Sequence, residues 1–205
     1  MAAGRPRALD VEASLPVIVR LFWRDGFDRL TLDEVASELG VTKPTLCRTL
    51  GDKEGIFSKA IEAYYQAHIR PGEERLETAA TLRRGLEGCF ATSIERALDE
   101  TNPPGCLLTD TSLRGAFTTG PVAQTLATIQ SRTAKLLMRR IQAAIEDGEL
   151  SETTDPSTVL NYVMAQFAAI SALSRTSPTR TELERAVGFM LNGLPWSTKA
   201  NTSGQ

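Results

Sequence analysis

Apolar residues recur at intervals of three and four along almost the whole of this chain of 205 residues, and that period restricts it to an all-α fold. Val17, Ile18, Leu21 and Phe22 form the stripe of a first helix that stops at Gly26. Pro16 leaves two starts open: Ser14 as N-cap with the proline in the first turn, or Asp10 with a kink. Thr31-Leu-Asp-Glu34 reads as a capping box for a second helix that ends at Gly40. A third helix is expected from Thr42 to near Leu50, and a fourth, capped by Asp52, from Lys53 to about His68, with Pro71-Gly72 as the next boundary. Further helices follow around Leu86 to Leu98, from Cys106 to Arg114, and from Gly120-Pro121 to Gly148. Another starts at Asp155-Pro156, and Thr181-Glu-Leu-Glu184 reads as a second capping box for the last, giving about nine helices in all.

Composition matters mainly for what it excludes. A net charge of −2 argues against a coat protein that binds nucleic acid with its whole surface, but leaves room for a specific binder with one positive face. The three cysteines (Cys47, Cys89, Cys106) are odd in number and lack a CxxC, so neither a disulfide framework nor a metal site is expected. The start of the chain lacks an apolar core of signal-peptide length, and the most apolar run, Tyr162 to Leu173, is too short for a membrane span. A cytoplasmic protein with no membrane partner is expected. One histidine, no GxSxG elbow, no glycine-rich phosphate loop and no ligand cluster leave no catalytic set, so neither enzyme activity nor a cofactor is expected.

The stretch Thr31 to Leu50 carries the functional signal. Two short helices around a tight glycine turn are what a helix-turn-helix requires: Ala36 is small at the crossing, Gly40 supplies a left-handed turn, and Val41 tucks beneath it. With Leu46 and Leu50 inward, Pro44 and Arg48 fall on the opposite face of the third helix, with Thr45 and Cys47 on its flanks. Arg48 can make a bidentate contact to guanine, and Thr45 can reach a base edge or a thymine methyl. Thr42, Lys43 and Thr49 suit phosphates, as does Lys53 at the start of the fourth helix. Arg5 and Arg7 lie on an arm able to reach a flanking groove, and Thr31 is counted with the same interface. Residues 1–50 hold seven basic and seven acidic side chains, so bulk charge does not advertise DNA. Helix pairs around a glycine also occur in proteins that bind none, so a protein-interaction or ligand-binding module with a vestigial helix-turn-helix stays open at this point.

The string LFWRDGFDRLTLDEVASELGVTKPTLCRTLGDKEGIF resembles the DNA-binding domain of the TetR (tetracycline-repressor) family. The resemblance spans residues 5–65 and rests on Gly26-Phe27, Thr31, Ala36, Gly40-Val41, Thr45-Leu46, and Asp52-Lys53-Glu54 ahead of Phe57. The segment PPGCLLTDTS around Cys106 is similar to a junction found in many members. The resemblance implies a homodimeric transcriptional repressor whose paired recognition helices bind a palindromic double-stranded operator and which a small-molecule effector releases. Members usually carry tyrosine where this chain has Cys47, an aromatic at Leu50 and alanine at Gly55. Those departures touch the contact at position 47 and suggest a looser junction between helices three and four.

On this reading residues 8–68 form the DNA-binding domain, with 31–50 as its motif; 69–195 form a helical effector-binding and dimerisation body, and 196–205 a tail. The helix from Ser157 to Leu173 is apolar nearly all round and must be covered on both sides. One side can face its own body and the other a partner subunit, or the helix can be the fully buried centre of a monomer. The resemblance implies the former, a four-helix interface between subunits from Val163, Phe167 and Ile170 together with Val187, Met190 and Leu191 of the last helix. Candidates for an effector pocket are Tyr64, Tyr65, His68, Phe90, Ile94, Phe117 and Tyr162.

Overall fold

The computed structural model describes residues 9–197. It is all-α: α1 (Val11–Arg29), α2 (Leu32–Glu38), α3 (Lys43–Leu50), α4 (Lys53–Tyr64), α5 (Arg70–Thr78), α6 (Leu82–Leu98), α7 (Leu107–Arg114), α8 (Gly120–Glu146), α9 (Pro156–Leu173) and α10 (Arg180–Asn192). A π turn, Tyr65–Ile69, joins α4 to α5 without a break, so the described residues make nine helical bodies. None of their helices is long and apolar enough to cross a membrane. The described residues divide into two compact units, one of those up to Gln66 together with 106–128, the other of 67–105 together with those from Ile129 onward.

In the first unit the core is aromatic. Phe22 packs on Phe57 with ring centres 4.6 Å apart, Phe27 on Phe57 at 5.2 Å and on Phe117 at 4.9 Å, and Trp23 meets Tyr64 edge-on at 4.8 Å. Of the two starts open to α1, the structure takes Asp10, whose carboxylate accepts from the Ala13 amide. Pro16 then lies inside the helix rather than in its first turn. The regular helix breaks at Gly26, where φ is +77°, and one further turn runs to Arg29. Glycine takes that conformation without the Cβ clash other residues meet.

The second unit buries Leu82, Leu86, Phe90 and Ile94 of α6 against Leu137 and Ile141 of α8, Val159, Val163 and Ile170 of α9, and Leu183, Val187 and Leu191 of α10. α5 runs close to α6 because Gly85 has no side chain: a Cβ there would come within 2.7 Å of the Leu76 side chain and 3.2 Å of its Cα. Glu149 accepts the amides of Leu82 and Arg83 and so caps the start of α6 from the chain between α8 and α9.

Two expectations are corrected. Pro71 does not end the fourth helix. It stands in the first turn of α5; proline has no N–H for the carbonyl four residues back, and in a regular α-helix its ring would crowd that oxygen. The chain answers with one wide turn ahead of it and stays helical. Arg96 of α6 donates to the His68 carbonyl within that turn. The last capping box is Thr179 with Glu182, not Thr181 with Glu184: the Glu182 amide donates to the Thr179 hydroxyl and the Thr179 amide to the Glu182 carboxylate.

Candidate DNA-binding interface

The helix-turn-helix is assembled from local bonds that its sequence encodes. Thr31 caps α2 reciprocally with Glu34, its amide donating over 2.8 Å and its hydroxyl over 2.7 Å to the carboxylate. These bonds hold the Glu34 carboxyl below its usual range. Gly40 makes the turn at φ +64°, and the Val41 amide closes it on the Ala36 carbonyl at 3.0 Å. Thr42 then caps α3, with Pro44 in the first turn.

Leu46 and Leu50 are buried under α3, as their spacing requires, and Pro44, Arg48 and Thr49 are exposed. No ion pair or hydrogen bond engages the Arg48 guanidinium among the described residues. Thr42 and Lys43 are also exposed, Lys43 with its ammonium 2.8 Å from the Asp33 carboxylate. Thr45 departs from its expected role. It is buried, and its hydroxyl lies 3.0 Å from that of Thr42, so it completes the start of the helix rather than reaching outward. Cys47 is half-buried. Lys53 lies with its Nζ 4.5 Å from the centre of the Phe27 ring. Arg5 and Arg7 lie outside the described residues.

The junction after α3 is tied at two points. Asp52 accepts the Gly55 amide at 2.8 Å, and the Lys59 ammonium donates to the Leu50 carbonyl at 2.9 Å, placing a cation at the negative end of α3. Sequence reasoning passed over Lys59. The general preference for a cation at a helix C-terminus is the signal that could have found it. A Cβ at position 55 would stand 3.2 Å from the Asp52 carboxylate, so glycine suits this cap.

The residues proposed for an effector pocket divide between the units. Tyr64, Tyr65 and Phe117 belong to the first, Phe117 within the aromatic cluster. His68, Phe90, Ile94 and Tyr162 belong to the second, where Phe90 stacks on Phe167 at 4.4 Å and the Tyr162 hydroxyl donates to the Met190 carbonyl. Burial, followed by the nearby Arg96, holds the half-buried His68 below the usual histidine range. Of the residues expected at a subunit interface, Val163, Ile170, Val187 and Leu191 are buried in the chain's own core, and Phe167 and Met190 are half-buried. They face inward because α9 and α10 both pack on α6. The exposed apolar side chains of these helices are instead Phe189, 81% exposed, and Leu173. Phe189 stands two positions from both Val187 and Leu191, off the inward stripe, and that offset is readable in the sequence.

A family model described as bacterial regulatory proteins of the tetR family matches residues 15–60, and one described as the tetracyclin repressor-like C-terminal domain matches residues 81–190. The transcriptional repressor ComR of Escherichia coli is 24% identical over 203 residues, covering 94% of this chain and 92% of ComR. YezE of Bacillus subtilis, an uncharacterised helix-turn-helix regulator, is 22% identical over 93% of this chain and 99% of its own. Among solved structures, a cysteine mutant of the TetR-family regulator CifR bound to a 26-bp operator duplex superposes with a TM-score of 0.82. It is 25% identical, and 94% of this chain and 100% of that one are covered. The motif around Gly40, the helical body behind it and a C-terminal match over more than half of the residues lead to one conclusion: the chain belongs to the TetR family of transcriptional regulators.

Proposed function

We propose that this chain is a repressor that binds a palindromic operator as a homodimer, reads it with α3, and is released by a small-molecule effector. The observation that carries the proposal is the outer face of α3, where Arg48 stands exposed beside Pro44 and Thr49 while Leu46 and Leu50 anchor the opposite face. An exposed arginine on the second helix of a helix-turn-helix suits bidentate recognition of guanine in the major groove. Thr42, Lys43 and Thr49 serve the phosphates around it, and Lys53 serves them from the start of α4. Residues 8–68 act as the reading domain and residues 69–195 as the sensing and pairing body. The operator complex of CifR and the repressor ComR support this reading. Phe189 and Leu173 support a second copy as the cover for α9 and α10. We assign the chain no catalytic step, and its place of work is the cytoplasm, where the operator is.

Selection of bound duplexes from a random pool tests the proposal, followed by titration of the selected duplex across a salt series. The expected result is a twofold-symmetric sequence whose affinity falls steeply as salt rises. A pool that yields no enriched sequence would overturn it.

A further inference from the structure

Lys43 opens α3, and an ammonium is the wrong charge for that place. The free N–H groups of a helix start carry partial positive charge, which favours an anion and opposes a cation. The conflict is resolved from α2: Asp33 Oδ2 lies 2.8 Å from Lys43 Nζ, a charge-assisted hydrogen bond that joins the two helices of the motif. The carboxylate also holds the Lys43 ammonium above the usual lysine range. Asp33 would be at home without this partner, since an acid in the first turn of α2 already complements that helix. The pair thus offsets a charge at Lys43 that its own helix start disfavours. Both side chains face water, 48% and 70% exposed, so the pair adds little to stability and is open to an incoming anion.

We propose that Asp33 is a built-in competitor for DNA, its carboxylate holding in the free protein the cation that Lys43 offers to a strand phosphate. The inference rests on α3 being the DNA-reading helix. A carboxylate oxygen and a phosphate oxygen make the same kind of contact to an ammonium, so the two compete for one donor. When phosphate wins, Asp33 is left beside a like charge; when it does not, Lys43 neutralises nothing on the duplex. In both cases the protein binds DNA more weakly than its basic residues alone would allow. The even balance of acids and bases over residues 1–50 has the same sense.

The test is a double-mutant cycle of Asp33→Asn and Lys43→Gln. Binding is read by anisotropy on the duplex selected by the wild type and on an unrelated mixed-sequence duplex of equal length, over a salt series. Asp33→Ser serves as a second variant, and far-UV circular dichroism confirms that each protein is folded. Asp33→Asn is expected to tighten binding to both duplexes about twofold to fivefold at low salt, the range of an exposed ion pair. The gain fades as salt rises, and it is absent when Lys43 is already replaced. No tightening, or equal tightening in the presence and absence of Lys43, would overturn the proposal, the latter by reducing Asp33 to general repulsion. A wild type that enriches no duplex from the random pool and binds the unrelated duplex at no salt would instead overturn the DNA-reading assignment itself.

Discussion

Thr45 and Arg48 lie three residues apart on α3 and end in opposite surroundings. Helical period alone places Arg48 opposite Leu46 and Thr45 on the flank, and for Arg48 that is where the structure leaves it. Thr45 turns inward because a short hydroxyl near a helix start finds local partners, here the Thr42 side chain 3.0 Å away. Local competition of this kind is invisible to a face assigned by angle. His68 gives the residue scale its pH dependence. Burial disfavours its charged form in the fold, with Arg96 acting in the same direction and Asp99 against. Its folded-state pKa is therefore lower than its unfolded one, near 6.5. The stability linked to it is complete above that value and is lost as pH falls toward the depressed pKa. Urea midpoints measured from neutral pH downward should fall in this window for the wild type and fall less for His68→Gln, before the carboxylates titrate. Equal slopes for the two proteins would remove His68 from the account.

At the scale of elements, most of the fold was legible because its helices announce both their caps and their stripes. Thr31 with Glu34, Thr42, Asp52 and Asp155 all cap the helices expected of them. Thr179 and Thr181 each precede a glutamate by three residues, and the earlier pair wins because it lets α10 begin sooner and gain backbone bonds. Pro71 reads as a stop in the sequence, whereas a π turn can absorb a proline where the flanking segments have cores to bury, as Ile61 and Tyr64 do on one side and Leu76 on the other. α5 was missed for the same reason. Its packing supplies a prediction. Gly85→Ala improves helix propensity by about 1 kcal/mol, yet the new methyl meets Leu76 at 2.7 Å for the side chain and 3.3 Å for the carbonyl oxygen. Overpacking of this kind costs about 1–3 kcal/mol, so the variant should be less stable than the wild type in denaturant unfolding. A higher midpoint would mean that α5 can move away from α6 freely.

For the molecule as a whole, the match over residues 81–190 accounts for a body whose own motifs say little about function. The proposed surface between subunits is the hardest part to read, because an apolar helix can satisfy either its own core or a partner. Val163 and Ile170 went to the core. Phe167 is a poor probe of pairing, since its ring stacks on Phe90 and a charge there would damage the fold. Phe189→Glu is the cleaner test: sedimentation should show monomers with unchanged helicity, and an intact dimer would place the interface elsewhere. Whether the outer face of α3 reads bases is decided by the affinity of the wild type and of Arg48→Ala for every single-base-pair variant of the selected duplex. A loss of about 1–3 kcal/mol is expected for Arg48→Ala, with relaxed preference at one position in each half-site, symmetric about the centre. A uniform loss at all positions, or an unchanged profile, would contradict it.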